Sequence, residues 1–353
     1  MMDKERAKAF MGTMVGILNG GSLALMISIG HRTGLFDTMA PMGSVTSEEL
    51  AEAANLNERY VREWLAAMTA GNIVEFDPEA QTYLIPDEHK MLLTRAGGPL
   101  NIASTTQYIA LLGQVEDDVV KAFETGEGVP YARYPAFQGL MAEESTARFD
   151  AGLLKETLPS IEGLVERLEA GIDVADIGCG SGYALQLMAE AFPNSSFTGY
   201  DFSDEALETA RENTAAAGLT NLNFVAVDAA QIADADAFDL ITSFDAIHDQ
   251  AQPATVLANI EGALRSDGVY LCVEPKAATA LEDNLGEPIA PYLYTISTMH
   301  CMSVSIAGGG EGLGAAWGTE ATLEHLAAAG FGNVEAQDRR SDRTNTHFVC
   351  RKS

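Results

Sequence analysis

The stretch from Val174 to Gly182, Val-Ala-Asp-Ile-Gly-Cys-Gly-Ser-Gly, holds the residues whose spacing points most directly to chemistry. An apolar strand end runs into Asp176. Gly178, Gly180 and Gly182 follow at alternate positions, and an apolar run with helical spacing begins at Tyr183. Strand, glycine-rich turn and helix make the first half of a βαβ unit. Glycines accept positive φ and let a ligand lie directly on the backbone. A dinucleotide fingerprint needs a third small residue to close helix on strand, and that position is Tyr183. Asp176 would repel a pyrophosphate but suits an ammonium group. A ligand with a cationic head and a ribose fits.

Further carboxylates recur at strand ends. The strand Ser196 to Tyr200 ends in Asp201, placed to take two charge-assisted hydrogen bonds from a vicinal diol. Phe202 beside it could lie against a base. A third strand, Asn223 to Val227, ends in Asp228-Ala229. Strand four, Phe238 to Phe244, leads into Asp245-Ala246-Ile247-His248-Asp249. Strand five, Val269 to Val273, is capped by Glu274. Three successive strands thus end in an acid, which is more specific than any one motif.

These stretches resemble the donor site of class I S-adenosylmethionine-dependent methyltransferases. The resemblance implies that Asp176 helps hold the methionine amino group, and that Gly178, Cys179, Gly180 and Gly182 pass under methionine and ribose. It gives Asp201 the ribose hydroxyls and Asp228 the adenine amine, with Phe202, Ala229 and Phe244 beside them. The implied cofactor is S-adenosyl-L-methionine, leaving as S-adenosyl-L-homocysteine, with no metal. The segment Phe244 to Leu264 looks like that of small-molecule O-methyltransferases in which His-Asp precedes a helix. His248 sits where that family places its general base. Methyl transfer is a direct displacement, so alignment dominates. A hydroxyl acceptor gains from a base with a pKa near the working pH, and imidazole is the natural one. Asp249 and Glu274 are both placed to orient it. The tryptophan that commonly follows His-Asp in the family is Gln250 here. N- or C-methylation, with His248 only positioning, is the rival chemistry.

Composition narrows the partners. The 353 residues carry 21 Lys and Arg against 51 Asp and Glu, a formal charge of −30. Such a chain is repelled by phosphate backbones and suits anionic membrane surfaces poorly. Cys179, Cys272, Cys301 and Cys350 show no C-x-x-C or Cys-His metal spacing, which reads as reduced thiols in a cytoplasmic protein. The start of the chain has no signal-peptide pattern.

The elements that must position the site divide into three stretches. In residues 1–98, Asp3 to Leu18 and Ser22 to Thr33 read as two apolar helices split at Gly20-Gly21, too broken to span a bilayer. Their apolar surface predicts burial against a partner or a second copy of the chain. Thr46-Ser47-Glu48-Glu49 is a capping box opening a helix from Ser47 to Ala54. A second helix, Glu58 to Ala70, and a hairpin over Ile73 to Ile85 complete a winged helix. Arg59 and Arg62 beside Glu58 and Glu63 are a weak footprint for DNA, so a ligand-sensing regulator is the lesser reading. Many small-molecule O-methyltransferases carry such a module as their dimerisation domain, and a homodimer is expected.

Residues 99–170 read as a helical connector and pocket roof: Leu100 to Phe123, Arg133 to Leu140 and Ser145 to Leu158. Tyr134, Phe137 and Phe149 match the segment that roofs the substrate in the resembling enzymes. Residues 171–353 read as the donor domain, a Rossmann-like, mostly parallel seven-stranded sheet with one antiparallel strand. Ser266-Asp267-Gly268 is expected as a turn. Ala277 to Gly314 is expected as an insertion over the pocket, with Met299 and His300 (the second choice of base) among its candidate lining.

Overall fold

The structure, a computed structural model, describes residues 2–353. The chain divides into two compact units, one ending at Gly113 and one beginning at Gln114.

In the first unit, Thr46 and Glu49 close the expected capping box on the helix Ser47–Ala54, and Asn57 caps the helix Glu58–Ala70. The strands β1 (Glu75–Asp77) and β2 (Thr82–Leu84) pair antiparallel as the wing. Phe36, Leu50, Trp64, Leu65, Met68 and Ile85 form the core.

The first helix differs from expectation. Lys4–Arg32 is one continuous helix of 29 residues, not two split at Gly20-Gly21. A glycine in a helix interior costs only about 1 kcal/mol, which the surrounding Leu, Met and Ala residues outweigh. By length and composition this helix could cross a membrane, with a mean hydropathy of 1.6. Gly20-Gly21 therefore does not interrupt the apolar span. Phe10, Met11, Met14, Val15, Ile17 and Leu18 are all exposed on it.

The second unit is built on a seven-stranded sheet. Its strands are β3 (Asp173–Ile177), β4 (Ser196–Asp201), β5 (Leu222–Ala226), β6 (Phe238–Phe244), β7 (Leu264–Pro275), β8 (Phe331–Gln337) and β9 (Asn345–Lys352). The spatial order is β5-β4-β3-β6-β7-β9-β8. Strands β3 to β7 run parallel, and β9 runs antiparallel between β7 and β8. The fold is thus the doubly wound α/β class with one antiparallel strand.

Alternation along the strands divides the core between the two faces. Val174, Leu240 and Leu271 face the helices Tyr183–Ala191 and Asp204–Ala216. Ala175, Ile241 and Cys272 face the helices Pro253–Ala263 and Gly318–Ala329. Strand order reverses between β3 and β6, and such a switch point opens a ligand crevice at the carboxyl ends of the strands.

Three local expectations are corrected. Leu100 to Phe123 is not one helix but three, Ile102–Thr105, Gln107–Gly113 and Glu116–Thr125. The roof is one helix, Phe137–Gly152, running into Leu153–Thr157, in place of two helices broken near residue 141. Residues 266–268 are not a free turn. Strand β7 starts at Leu264, whose backbone already pairs with Phe238.

Candidate active site

At the end of β3 the chain turns through Gly178, Gly180 and Gly182, all at positive φ. Two of these glycines do different work. A Cβ on Gly178 would lie 2.6 Å from that of Ala246, so the loop packs against the segment after β6. A Cβ on Gly180 would meet nothing within 4 Å and would project into open space. Gly180 is therefore a cradle that a side chain would fill.

That space is a cavity of about 710 Å³, of the size that holds a drug-sized ligand. Asp176, Gly178, Cys179, Gly180, Asp201, Phe202, Asp228 and Phe244 line it together. Gly182 and Ala229 do not: Gly182 starts the following helix against Phe224, and Ala229 is buried.

Each carboxylate is held by its own strand end. Asp201 accepts from the Gly180 N–H at 2.9 Å and from the Ser203 N–H at 2.8 Å, which fixes loop and helix start together. Each oxygen keeps further acceptor capacity. Asp228 caps the turn Ala229–Gln231 through the Ala230 N–H. Asp176 accepts from the Thr242 hydroxyl at 2.7 Å. Burial pushes its pKa up to about 7, against the pull of that hydrogen bond.

The cavity wall carries six acids, Asp176, Asp201, Glu205, Asp228, Asp245 and Asp249, and no lysine or arginine among the described residues. The site is built for positive charge.

His248 lies behind this wall, 3 % exposed. Its Nδ1 lies 2.6 Å from Glu274 Oε2, and Glu274 also accepts the Ile247 N–H. Asp249 stands on the other side, with Oδ1 3.1 Å from His248 Nε2. The two acids thus divide: Glu274 holds Nδ1 while Asp249 separates Nε2 from the cavity. Burial alone would lower the His248 pKa, but Asp249 and Glu274 overcome it and hold the ring well above its ordinary value.

Of the roof candidates, Phe137 and Phe149 line the cavity, and Phe149 meets Phe244 edge-on at 4.8 Å. Tyr134 is buried and donates its hydroxyl hydrogen to the Met299 carbonyl. His300 is fully buried, its ring stacked on Phe137 at 3.5 Å. Tyr134, Met299 and His300 therefore stand behind the cavity wall.

Two groupings escaped the sequence. Arg148 on the roof helix donates to Asp245 at 2.6 Å, and Asn345 on β9 donates to the same carboxylate. Asp245 sits at positive φ where β6 ends, and it lines the cavity. An arginine inside the apolar roof segment was the available signal. Arg148→Leu is expected to lower stability by about 3 kcal/mol, because it leaves the mostly buried Asp245 without its cation. Urea unfolding checks this. The second grouping brings ligating atoms of His248, Asp249 and Cys301 within 4.8 Å of one another, although nothing in the sequence links Cys301 to the adjacent pair His248-Asp249.

Residues 168–308 match a family model described as a methyltransferase domain, and residues 21–95 match one described as an Rv2258c-like winged HTH domain. The trans-aconitate 2-methyltransferase of Methylobacterium radiotolerans is 34% identical over 149 residues, 42% of this chain and 53% of that protein. The chain spans about half the length of the curated relatives it matches. Among solved structures, mitomycin 7-O-methyltransferase superposes with a TM-score of 0.71 at 16% identity, over 99% of this chain and 100% of that one. Human N-acetylserotonin methyltransferase, solved with S-adenosylmethionine, gives 0.64 at 18% identity, over 97% of each chain. The family-model match and a doubly wound sheet whose strand ends carry this loop together make residues 168–308 a methyltransferase domain. More narrowly, the chain joins that domain to an N-terminal Rv2258c-like winged HTH domain.

Proposed function

We propose that the chain methylates a small, largely apolar acceptor at oxygen, using S-adenosyl-L-methionine and His248 as general base. The acid-lined cavity over Gly180 is the observation that carries this reading. A bound donor supplies an electrophilic methyl group on a sulfonium. Asp176 would hold its ammonium, Asp201 its ribose hydroxyls and Asp228 its adenine amine. The residues present fit the group: the glycine cradle is open, the diol-binding carboxylate is fixed by two backbone N–H groups, and no lysine or arginine lines the wall beside Asp176, Asp201 and Asp228.

His248 would take the acceptor hydroxyl proton at Nε2 while Glu274 keeps Nδ1 protonated and the ring aligned. Only the neutral ring can accept, and the positive charge of the donor favours that form. Asp249 must turn aside to admit the acceptor. Electrostatics selects the acceptor class. Trans-aconitate, named for the curated relative, is a polycarboxylate. Six acids and no base in the wall disfavour such a substrate here. Phe137, Phe149 and Phe244 offer an apolar surface instead. Phenols should therefore yield S-adenosyl-L-homocysteine at a measurable rate and tricarboxylates should not. Turnover of tricarboxylates alone would overturn the reading.

Donor affinity should depend on pH. Asp176 titrates at about 7 in the donor-free chain, above the ordinary carboxylate value of about 3.9. Its contribution to folding stability is thus full below about 4 and lost as pH rises through 7. The ammonium partner needs the ionised form, so donor affinity should fall up to about tenfold per unit below pH 7. Above about pH 8 the donor's own α-amino group loses its charge. Calorimetry should find the tightest binding between these limits. Asp176→Asn should weaken binding and flatten the acidic limb.

The exposed apolar helix Lys4–Arg32 supports a homodimer. Gly12, Gly16 and Gly20 recur every four residues with nothing within 4 Å of a Cβ, so a second helix can approach closely. Arg59 and Arg62 are paired with Glu63 and Glu58 on their own helix, which favours a dimerising over a DNA-binding winged helix. Four free cysteines accord with a cytoplasmic location. Light scattering of the detergent-free extract tests both. A dimer is expected, and recovery only in the membrane pellet would reverse them.

A further inference from the structure

We propose that His248, Asp249 and Cys301 form a binding site for a divalent cation of the zinc class behind the Asp249 side of the cavity wall. Their ligating atoms, an imidazole nitrogen, a carboxylate oxygen and a thiol sulfur, all lie within 4.8 Å of one another. Zinc takes this mixture of donors at about 2.0–2.3 Å, so one ion can touch all three after small side-chain movements. Nitrogen and sulfur donors exclude magnesium and calcium, which prefer oxygen alone.

Unmet hydrogen bonding points the same way. Asp249 Oδ1 is buried without a well-aligned donor, although it lies 3.1 Å from His248 Nε2. His300, adjacent to Cys301, is fully buried, and neither of its ring nitrogens makes a hydrogen bond. Its Nδ1 is 4.0 Å from Asp249 Oδ2. A buried polar group left unpaired costs about 1–3 kcal/mol. A cation on Asp249 and His248 would satisfy the first group, and His300 would then orient Asp249 from behind through its second oxygen.

Binding is a proton exchange: the Cys301 thiol and the Nε2 of the charged His248 ring each give up a proton to solvent as sulfur and nitrogen bond to the metal. His248 contributes its Nε2 lone pair while Glu274 keeps Nδ1. Asp249 lines the cavity, so the ion enters from there and keeps one position open toward it. The same lone pair cannot both hold a metal and accept a proton. Resting on the proposed role of His248, zinc is therefore an inhibitor of methyl transfer.

The test uses the whole chain freed of metal by chelation. Cobalt(II) should bind at one equivalent, with visible bands of tetrahedral type and a thiolate charge-transfer band, and zinc should displace it. In Cys301→Ser the charge-transfer band should vanish. Zinc affinity should fall by more than the roughly 10–100-fold that loss of an outer partner costs. Because Cys301 is buried, circular dichroism of the variant checks its fold. No stoichiometric uptake, or a thiolate charge-transfer band that survives in Cys301→Ser, overturns the site. A thiolate band without inhibition of methyl transfer keeps the site and removes His248 as the base.

Discussion

Gly180→Val should abolish productive donor binding, weakening S-adenosylmethionine affinity at least about 100-fold, near 2.8 kcal/mol, in a chain that still folds. The residue sits at φ 52°, where a β-branched side chain is strained. Single residues forced into the left-handed region cost about 1–2 kcal/mol, which the second unit can bear. The added methyl groups meet no protein atom within 4 Å of the new Cβ. They occupy the space in which the donor must lie, and every contact of the donor with the loop backbone is lost together. Gly178→Ala is the contrasting case, since its Cβ would strike Ala246 at 2.6 Å. That change should lower the unfolding midpoint first and affinity second. Calorimetry and urea unfolding on both variants separate the effects. Native affinity in Gly180→Val would refute the assignment of the loop.

The parts of this architecture that are legible in the sequence are those written in local chemistry. Phe238–Phe244 is a strand with the expected ends, because an apolar run lies between Asp236-Ala237 and Asp245. The acids at the ends of β3 and β4 and beyond β5 line one cavity, because parallel strands bring equivalent ends to one rim. Where tertiary packing overrides a local signal, the reading fails. Gly20-Gly21 looks like a break, yet helical neighbours on both sides carry the helix through. Ser266-Asp267-Gly268 has turn composition, yet β6 recruits the backbone from Leu264 onward. The groupings around Arg148 and Cys301 were illegible for a different reason. Arg148 and Asp245 lie 97 positions apart, and His248 and Cys301 are likewise joined only by the fold. No periodicity reports such closeness. The insertion that carries His300 could be placed over the pocket, but not the depth to which each side chain sinks.

His248→Ala should lower kcat by about 10²–10⁴-fold, the usual worth of a positioned acid–base group, with donor affinity unchanged in calorimetry. His248 does not line the cavity, so the donor loses no contact. The substitution leaves Glu274, 1 % exposed, facing a void with only the Ile247 N–H as partner. Removing one member of a buried pair costs about 3–5 kcal/mol, so kcat must be read below the unfolding midpoint of the variant. Glu274→Gln isolates the orienting role. The amide keeps the volume but offers one oxygen to two donors, the Ile247 N–H and His248 Nδ1–H. Either donor left facing the amide NH₂ costs about 1–3 kcal/mol. If the imidazole loses its hold, kcat should fall while KM for the acceptor stays within a few-fold, because the cavity wall is untouched. A fall in kcat in both variants, larger for His248→Ala, places the proton on Nε2. If kcat survives in His248→Ala with the fold intact, the role passes to Asp249, whose carboxylate already faces the cavity.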